Sequence, residues 1–468
     1  MEREVIGALG VLAMIVLMFC RMPVAFALTL VGWVGLSVLR SDRAADAVLS
    51  SDTFGTILNF DLTTIPAFML MGYITYVSGF TREIYDAARV WFGRTPGGLA
   101  AASTLGCAAF AAVSGSSLAT AAAMGKIAVP EMLRRGYDKG LATGVVAASG
   151  TLGSLIPPSV LMILYAVFTE QSIALLFIAG VIPGFLSAAI YIGMVLIRAR
   201  INPALAPGML ERVSLGDKMR ALSGSWGIVL LFILVMGGIM IGFFTPMEAG
   251  AIGAAGAFFI ALAAGRMNKA KTGAAFFDAL RQTGSIFAII FGAMIFSRFI
   301  AISGLGQFLA DWASSISTDA TPVIIAISLI YVILGTFIGP IEIMLLTLPI
   351  VTPVVESYDV SLIWFGVIMI KYLEIGLITP PLGFNVFIIS SVVGKAVPVT
   401  TIFRGVMWFL AMDILTLAVL IGWPEITLYL PGLYTDWMSF LRTEDLGAMQ
   451  AIGLWLSGDL AATVAAGG

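Results

Sequence analysis

Apolar runs long enough to cross a bilayer recur along most of this 468-residue chain, and nothing else restricts its fold as strongly. A spanning helix needs about 20 mostly apolar residues, and about ten such runs can be drawn. They cover 4–20, 22–39, 60–80, 140–168, 173–197, 224–244, 248–265, 276–302, 361–391 and 402–422. Within hydrocarbon each segment must satisfy its own backbone polar groups, so runs of this length dictate helices. The expected class is an all-α integral membrane protein. The first run opens with Glu2-Arg3-Glu4 and has no small-residue cleavage site after it, so it reads as a span rather than a cleaved signal.

Composition closes off other classes. The mean hydropathy is +1.04. Only 11% of residues are charged, against about 25% in soluble domains. Twenty-five Lys and Arg nearly balance 27 Asp and Glu, which argues against a nucleic-acid partner. There is no histidine, so His-based triads, metal sites and proton relays are excluded. Cys20 and Cys107 both sit in apolar runs and offer neither a zinc cluster nor a disulfide framework.

Lys and Arg set the orientation. The loop 198–220 holds Arg198, Arg200, Arg212, Lys218 and Arg220, and 266–271 holds Arg266, Lys269 and Lys271. Both are assigned to the cytoplasm, which puts both termini in the periplasm. Two further apolar stretches, 97–130 and 318–354, are interrupted in their middles and read as hairpins. The first is flanked by Arg82, Arg89 and Arg94 and by Arg134, Arg135 and Lys139, so it enters from the inside; the second, flanked by acidic residues, enters from the outside. Arg134 and Arg135 read as topology anchors.

The halves echo each other at one offset. Pro157 pairs with Pro380 (380 − 157 = 223), and Pro23 with Pro246 and Pro130 with Pro353 at the same spacing. Tyr137-Asp138 matches Tyr358-Asp359, and Ser78-Gly79 matches Ser303-Gly304, within two residues of it. The offset spans an odd number of crossings, so the repeats are inverted. Inverted repeats with paired interrupted helices point to a secondary transporter with its site near the bilayer midplane.

Four interruptions stand where chemistry is expected. They are Ser114-Gly115-Ser116-Ser117, Gly150 to Pro158, Gly335 to Pro340, and Glu374 to Pro381. Unwound backbone at membrane depth is tolerated where it lines a cavity or binds something. Carbonyls and hydroxyls suit a hard monovalent cation, and half-helix N-termini suit a carboxylate. Thr245-Pro246-Met247-Glu248 has capping-box spacing, which is preferred to an ion-binding role for Glu248. Residues 81–96 are amphipathic, with Ile84, Ala88, Trp91 and Phe92 on one side, and read as a helix in the interface; 305–317 is the apparent counterpart.

At these motifs the chain resembles the large, DctM-like membrane subunit of the TRAP (tripartite ATP-independent periplasmic) transporters. The matching stretches are AAVSGSSLATAAA, VPEMLRRGYDKGLATGVVAASGTLGSLIPPS, FFTPMEAGAIGA, LTLPIVTPVVESYDVSLIWFGVIM and EIGLITPPLGFNVF. The resemblance covers about residues 5–422. It implies sodium-driven uptake of an organic acid across the bacterial inner membrane. It also implies a small membrane (Q) subunit and a periplasmic substrate-binding (P) protein, and no cofactor, enzyme activity or transition metal. The implied architecture is an elevator. Scaffold helices would occupy 1–80 and 224–302, arm helices 81–96 and 303–317, and the transport domain 97–200 and 318–423. Residues 201–223 would be a cytoplasmic loop and 424–468 a tail, in which Leu446 to Leu460 reads as an amphipathic surface helix.

Carried onto this chain, one sodium site would draw on Ser114, Gly115, Ser116, Ser117, Thr151, Gly153 and Pro157. The second would draw on Gly335, Thr336, Gly339, Glu374, Gly376, Thr379 and Pro380. Many relatives have Asp before the proline of the second tip where this chain has Gly339, which leaves backbone as the expected ligand there. Substrate candidates are Ser116, Ser154, Pro158, Lys371 and Asn385. Lys371 and Glu374 are the only Lys and Glu in 361–391 and share a helix face. Two readings stay open for them: a neutralising ion pair that holds the broken helix together, or a Glu374 anchor with Lys371 beside an anionic substrate. Different assignments for the whole chain are a stand-alone sodium-coupled anion carrier of the same broad fold, and a channel or structural membrane subunit.

Overall fold

The computed structural model describes residues 2–52, 55, 59–208 and 214–443, and among them every regular element is helical. The first half runs α1 (Arg3–Phe19), α2 (Val24–Leu39), α3 (Asp42–Ala47), α4 (Thr64–Val77), α5 (Phe80–Phe92), α6 (Gly98–Ser114), α7 (Ser117–Arg134), α8 (Lys139–Leu155), α9 (Val160–Phe168) and α10 (Ile173–Ile201). The chain continues through α11 (Leu215–Gly224), α12 (Trp226–Phe232), α13 (Gly238–Met240), α14 (Pro246–Ala263), α15 (Lys269–Ser303) and α16 (Leu305–Ile316). It ends with α17 (Ala320–Gly335), α18 (Pro340–Glu356), α19 (Leu362–Ile378), α20 (Phe384–Val393), α21 (Val399–Gly422) and α22 (Glu425–Thr443).

Six stretches are long and apolar enough to span a membrane: Phe60–Val77, Lys139–Phe168, Ile173–Ile201, Pro246–Ala263, Lys269–Ser303 and Val399–Gly422. The other four expected spans are also helical, but shorter or interrupted. Helices α1 and α2 have 17 and 16 residues. A π-helical turn over Ile233–Gly237 separates α12 from α13, and residues 379–383 separate α19 from α20.

Local chemistry sets the helix starts. Ser116, Asp138, Ser172 and Asn268 accept backbone N–H groups of α7, α8, α10 and α15, satisfying donors that the first turn leaves free. Thr245 and Glu248 form the expected reciprocal capping box, with Pro246 at the first helical position.

Helices α8 and α19 form the core. Every residue from Gly140 to Leu155 and from Ile363 to Ile378 is buried. After Lys139, helix α8 is built of Gly, Ala, Ser, Thr, Val and Leu, which lets α6, α7 and α21 approach on several sides. Helix α2 lies along α15, and α4 packs against α14 and α15.

Helix α5 is amphipathic as expected and buries Thr81, Ile84, Tyr85, Ala87 and Ala88. Trp91 lies on the same apolar side, beside Ile84 and Ala88, and is 45% exposed. Polar groups tie α5 to two neighbours. Glu83 pairs with Arg266, just beyond α14; Arg89 lies 3.5 Å from Glu131 of α7, which also holds Arg134 and Arg135.

Two connections differ from expectation. The stretch read as the loop 201–223 contains the start of α11, a polar helix with too little apolar surface to announce itself. The segment after 424 opens with α22, which packs on α10 and places Trp437 Nε1 3.4 Å from the Ile241 carbonyl. Arg212 and Leu446 to Leu460 lie outside the described residues.

Candidate functional site

Helices α6 and α7 meet at a two-residue tip, and Gly115, at φ +60°, makes the reversal that a side chain would oppose. The tip presses onto the end of α8. A Cβ on Gly153 would lie 2.7 Å from the carbonyl carbon and oxygen of Ser116, so only glycine admits this approach. Ser117 Oγ donates to the Thr151 carbonyl at 3.0 Å and contacts the Ser154 hydroxyl. Ser114 Oγ lies 2.9 Å from Thr120 Oγ1. Pro157 and Pro158, joined by a cis peptide bond, are buried, and a Cβ on Gly115 would meet the Pro158 carbonyl at 2.6 Å. The structure therefore brings the first predicted group together: Ser114 to Ser117 on the tip, with Thr151, Gly153, Ser154, Pro157 and Pro158 on the break.

The second group has another form. Gly335 and Gly376 cross backbone to backbone, so that a Cβ on Gly376 would lie 2.7 Å from the Gly335 Cα. Thr336 and Thr379 donate their hydroxyls to carbonyls of their own helices, Ile333 at 2.8 Å and Ile375 at 2.6 Å, keeping oxygen lone pairs for another partner. Gly339 starts α18, and the Glu342 carboxylate fills the space where a side chain on Gly339 would project. The second break also holds a cis Pro380–Pro381 bond, but Pro380, Pro381 and Leu382 are exposed where Pro157 and Pro158 are buried.

Three predicted residues lie elsewhere. Lys371 and Glu374 are fully buried among α10, α19 and α21. Lys371 Nζ is 3.0 Å from Glu374 Oε2, 2.6 Å from Asp413 Oδ1 and 3.4 Å from Ser187 Oγ. Tyr191 donates to the same Asp413 oxygen at 2.6 Å. Lys371 thus answers two carboxylates at once, and neither Lys371 nor Glu374 lines the cavities at the tips. Asn385 is also fully buried; its Nδ2 donates to the Ala147 carbonyl at 3.0 Å, linking α20 to α8.

A cavity of about 70 Å³ lies between the two tips. Its wall includes Gly115 to Leu118, Ser154, Val160, Leu161, Gln282, Pro340, Ile341 and Leu377. The N-termini of α7, α9 and α18 all open onto it. Each contributes partial positive charge, an arrangement that accommodates an anion, although Pro340 has no N–H and the Val160 N–H already donates to the Gly115 carbonyl. A neighbouring cavity of about 260 Å³ shares Met69, Ser116, Leu118 and Gln282 and continues along Tyr73, Tyr76, Ala119 and Ala122.

Sequence reasoning passed over Gln282, Tyr73 and Tyr76 in these walls, Asp413 in the buried cluster, and Glu342 at the second tip. It also stopped one residue short of Ser159, the N-cap of α9, whose buried hydroxyl has no protein partner. Gln282 and Asp413 did carry a signal, since each is a polar side chain inside an apolar span.

Comparison with known proteins follows the same lines. Residues 11–426 match the family described as "Tripartite ATP-independent periplasmic transporter, DctM component". The C4-dicarboxylate TRAP transporter large permease protein DctM of Pseudomonas aeruginosa is 36% identical over 386 residues, covering 82% of this chain and 89% of that protein. The sialic acid TRAP transporter large permease protein SiaM of Vibrio cholerae is 31% identical, over 89% of this chain and 96% of that one. Among solved structures, the YdaH transporter of Alcanivorax borkumensis has a similar fold, with a TM-score of 0.57 at 15% identity over 81% of this chain and 88% of that one.

Proposed function

The chain belongs to the DctM-component family of the tripartite ATP-independent periplasmic transporters, and from that premise we propose a sodium-driven importer of an organic acid. It is a multi-pass membrane protein, and in this reading it is the large permease subunit, in the bacterial inner membrane with both termini periplasmic. The observation that carries the reading is the cavity onto which α7, α9 and α18 point their N-termini, beside the serine hydroxyls of the first tip. Such a site favours a carboxylate without a buried lysine. Named relatives serve C4-dicarboxylate, sialic acid and isethionate, which are all small organic acids.

The cation sites are the two tip-and-break groups. At the first, the Thr151 and Pro158 carbonyls and the Ser117 and Ser154 hydroxyls supply the oxygen ligands a hard monovalent ion takes. At the second, Thr336, Thr379 and exposed backbone beside Pro380 supply them, with the Glu342 carboxylate at hand. Binding there stitches each hairpin to its broken helix, so that α6–α10 and α17–α21 travel as one body against α1–α4 and α12–α15. That is an elevator with α5 and α16 as arms, assembled from two inverted repeats. A small membrane subunit and a periplasmic binding protein complete the assembly.

Reconstituted uptake tests this. Proteoliposomes carrying the chain with the small subunit should accumulate an organic acid only with its binding protein, an inward sodium gradient and no ATP. Uptake driven equally by a proton gradient in sodium-free buffer would overturn the coupling ion. Uptake of free substrate by this chain alone would favour a stand-alone carrier.

A further inference from the structure

Lys126 is an exposed lysine midway along α7, more than one turn from the other charged residues of that helix, Glu131 and Arg134. At 1.5 Å per residue it stands about 12 Å from Arg134 and about 15 Å from the tip at Ser116. If Arg134 and Arg135 mark the membrane face, as their clustering argues, Lys126 is too deep to reach that face freely. A cation at such depth is retained where it faces water or a ligand. Among the described residues it has no carboxylate partner, and its one bond runs from Nζ to the Tyr76 hydroxyl on α4, at 3.4 Å.

Its position along α7 explains where it points. Ala119, Ala122 and Lys126 follow one another at spacings of three and four, so they share a helix face. Ala119 and Ala122 line the larger cavity, and so does Tyr76. Lys126 therefore stands one turn beyond that cavity on the same face of α7, joined to the wall residue Tyr76 by its hydrogen bond. The same cavity reaches Ser116 and Gln282 at the tip. In a largely apolar wall the cavity thus carries Ser116, Gln282 and Tyr76, and the Lys126 ammonium meets the Tyr76 hydroxyl at its far end.

We propose that Lys126 and Tyr76 form a transit site for the carboxylate of the transported acid, between the hairpin tip and the membrane face marked by Arg134 and Arg135. The chemical class is a small organic anion, held by one ammonium and one hydroxyl rather than by a closed pocket. This rests on the transport reading, but it can be tested without transport. The probes are two thiol reagents of similar size, the anionic sulfonatoethyl and the cationic trimethylammonioethyl methanethiosulfonates.

The full-length chain would carry Ala122→Cys with Cys20→Ser and Cys107→Ala, in membranes exposed from each side. The cysteine should react from the Arg134 side, faster with the anionic reagent. Lys126→Gln should lower the anionic-to-cationic rate ratio by about fivefold, the scale of one nearby charge in a partly solvated site, and Lys126→Arg should keep it. A ratio unchanged by Lys126→Gln overturns the proposal, and so does a cysteine that neither reagent reaches from either side. If Lys126→Gln fails to fold, the Lys126→Arg protein is compared at low and high salt, where a charge-driven preference must shrink. A ratio that falls as expected, in a chain that shows no organic-acid uptake in the reconstituted assay, would count against the transport reading and leave the lysine site standing.

Discussion

Lys371 and Asp413, on different helices, meet 2.6 Å apart with both side chains fully buried. Glu374 completes the cluster from the other side of the ammonium. One cation thus separates two carboxylates, and α19, which precedes the second break, is fastened to α21 through it. Removing one member of a buried ion cluster strands the others in low dielectric, which costs about 3–5 kcal/mol. Lys371→Met should therefore lower the unfolding temperature in detergent steeply. Neutralising all three positions, with Lys371→Met, Glu374→Gln and Asp413→Asn, should recover much of the loss and retain uptake. A Lys371→Met protein of normal stability that does not transport would restore the substrate role.

Sodium dependence should be sigmoidal, reflecting at least two ions. Ser117→Ala at the first group and Thr379→Ala at the second should each raise the sodium concentration needed for half-maximal uptake. Titrating uptake against sodium for each variant measures this. Hyperbolic dependence in the unmodified protein would remove the second ion.

Glycine substitutions should separate contact from propensity. Gly376→Ala forces a Cβ to 2.7 Å from the Gly335 Cα, where backbone cannot move aside like a side chain. Overpacking of this kind costs about 1–3 kcal/mol. Gly193→Ala meets nothing within 4 Å on α10 and should instead stabilise, by about 0.5–1 kcal/mol. Thermal unfolding of the two variants should move in opposite directions.

Topology can be read directly. Lys269 and Ser357 are both exposed. Single cysteines there, in a background lacking Cys20 and Cys107, should be labelled from opposite sides of the membrane. Labelling of both from the periplasm would overturn the inverted arrangement.

The four helix interruptions were legible because Gly, Ser and paired prolines interrupt apolar runs, and interruption is a local signal. The capping box at Thr245 was legible for the same reason. Long-range pairing was not. Lys371 and Glu374 could be matched by spacing on one helix, yet nothing local tied them to Asp413, and that third charge decides that they face inward. Gln282 and Tyr76 became wall residues only when α4 packed against α6 and α15. The helix α22 follows Trp423-Pro424, a dipeptide that reads equally well as the end of the last span.

Helix α5 is held by Glu83 at one place and by Arg89 at another, and both ties are partly open to solvent. Such ion pairs are worth about 0–1 kcal/mol each and fade as salt rises. Bonds of that size give the helix a resting angle without locking it, because water can replace either partner at a cost near thermal energy. In the proposed elevator, an arm fastened in this way could bend on each stroke, as two weak springs allow and one strong bolt would not.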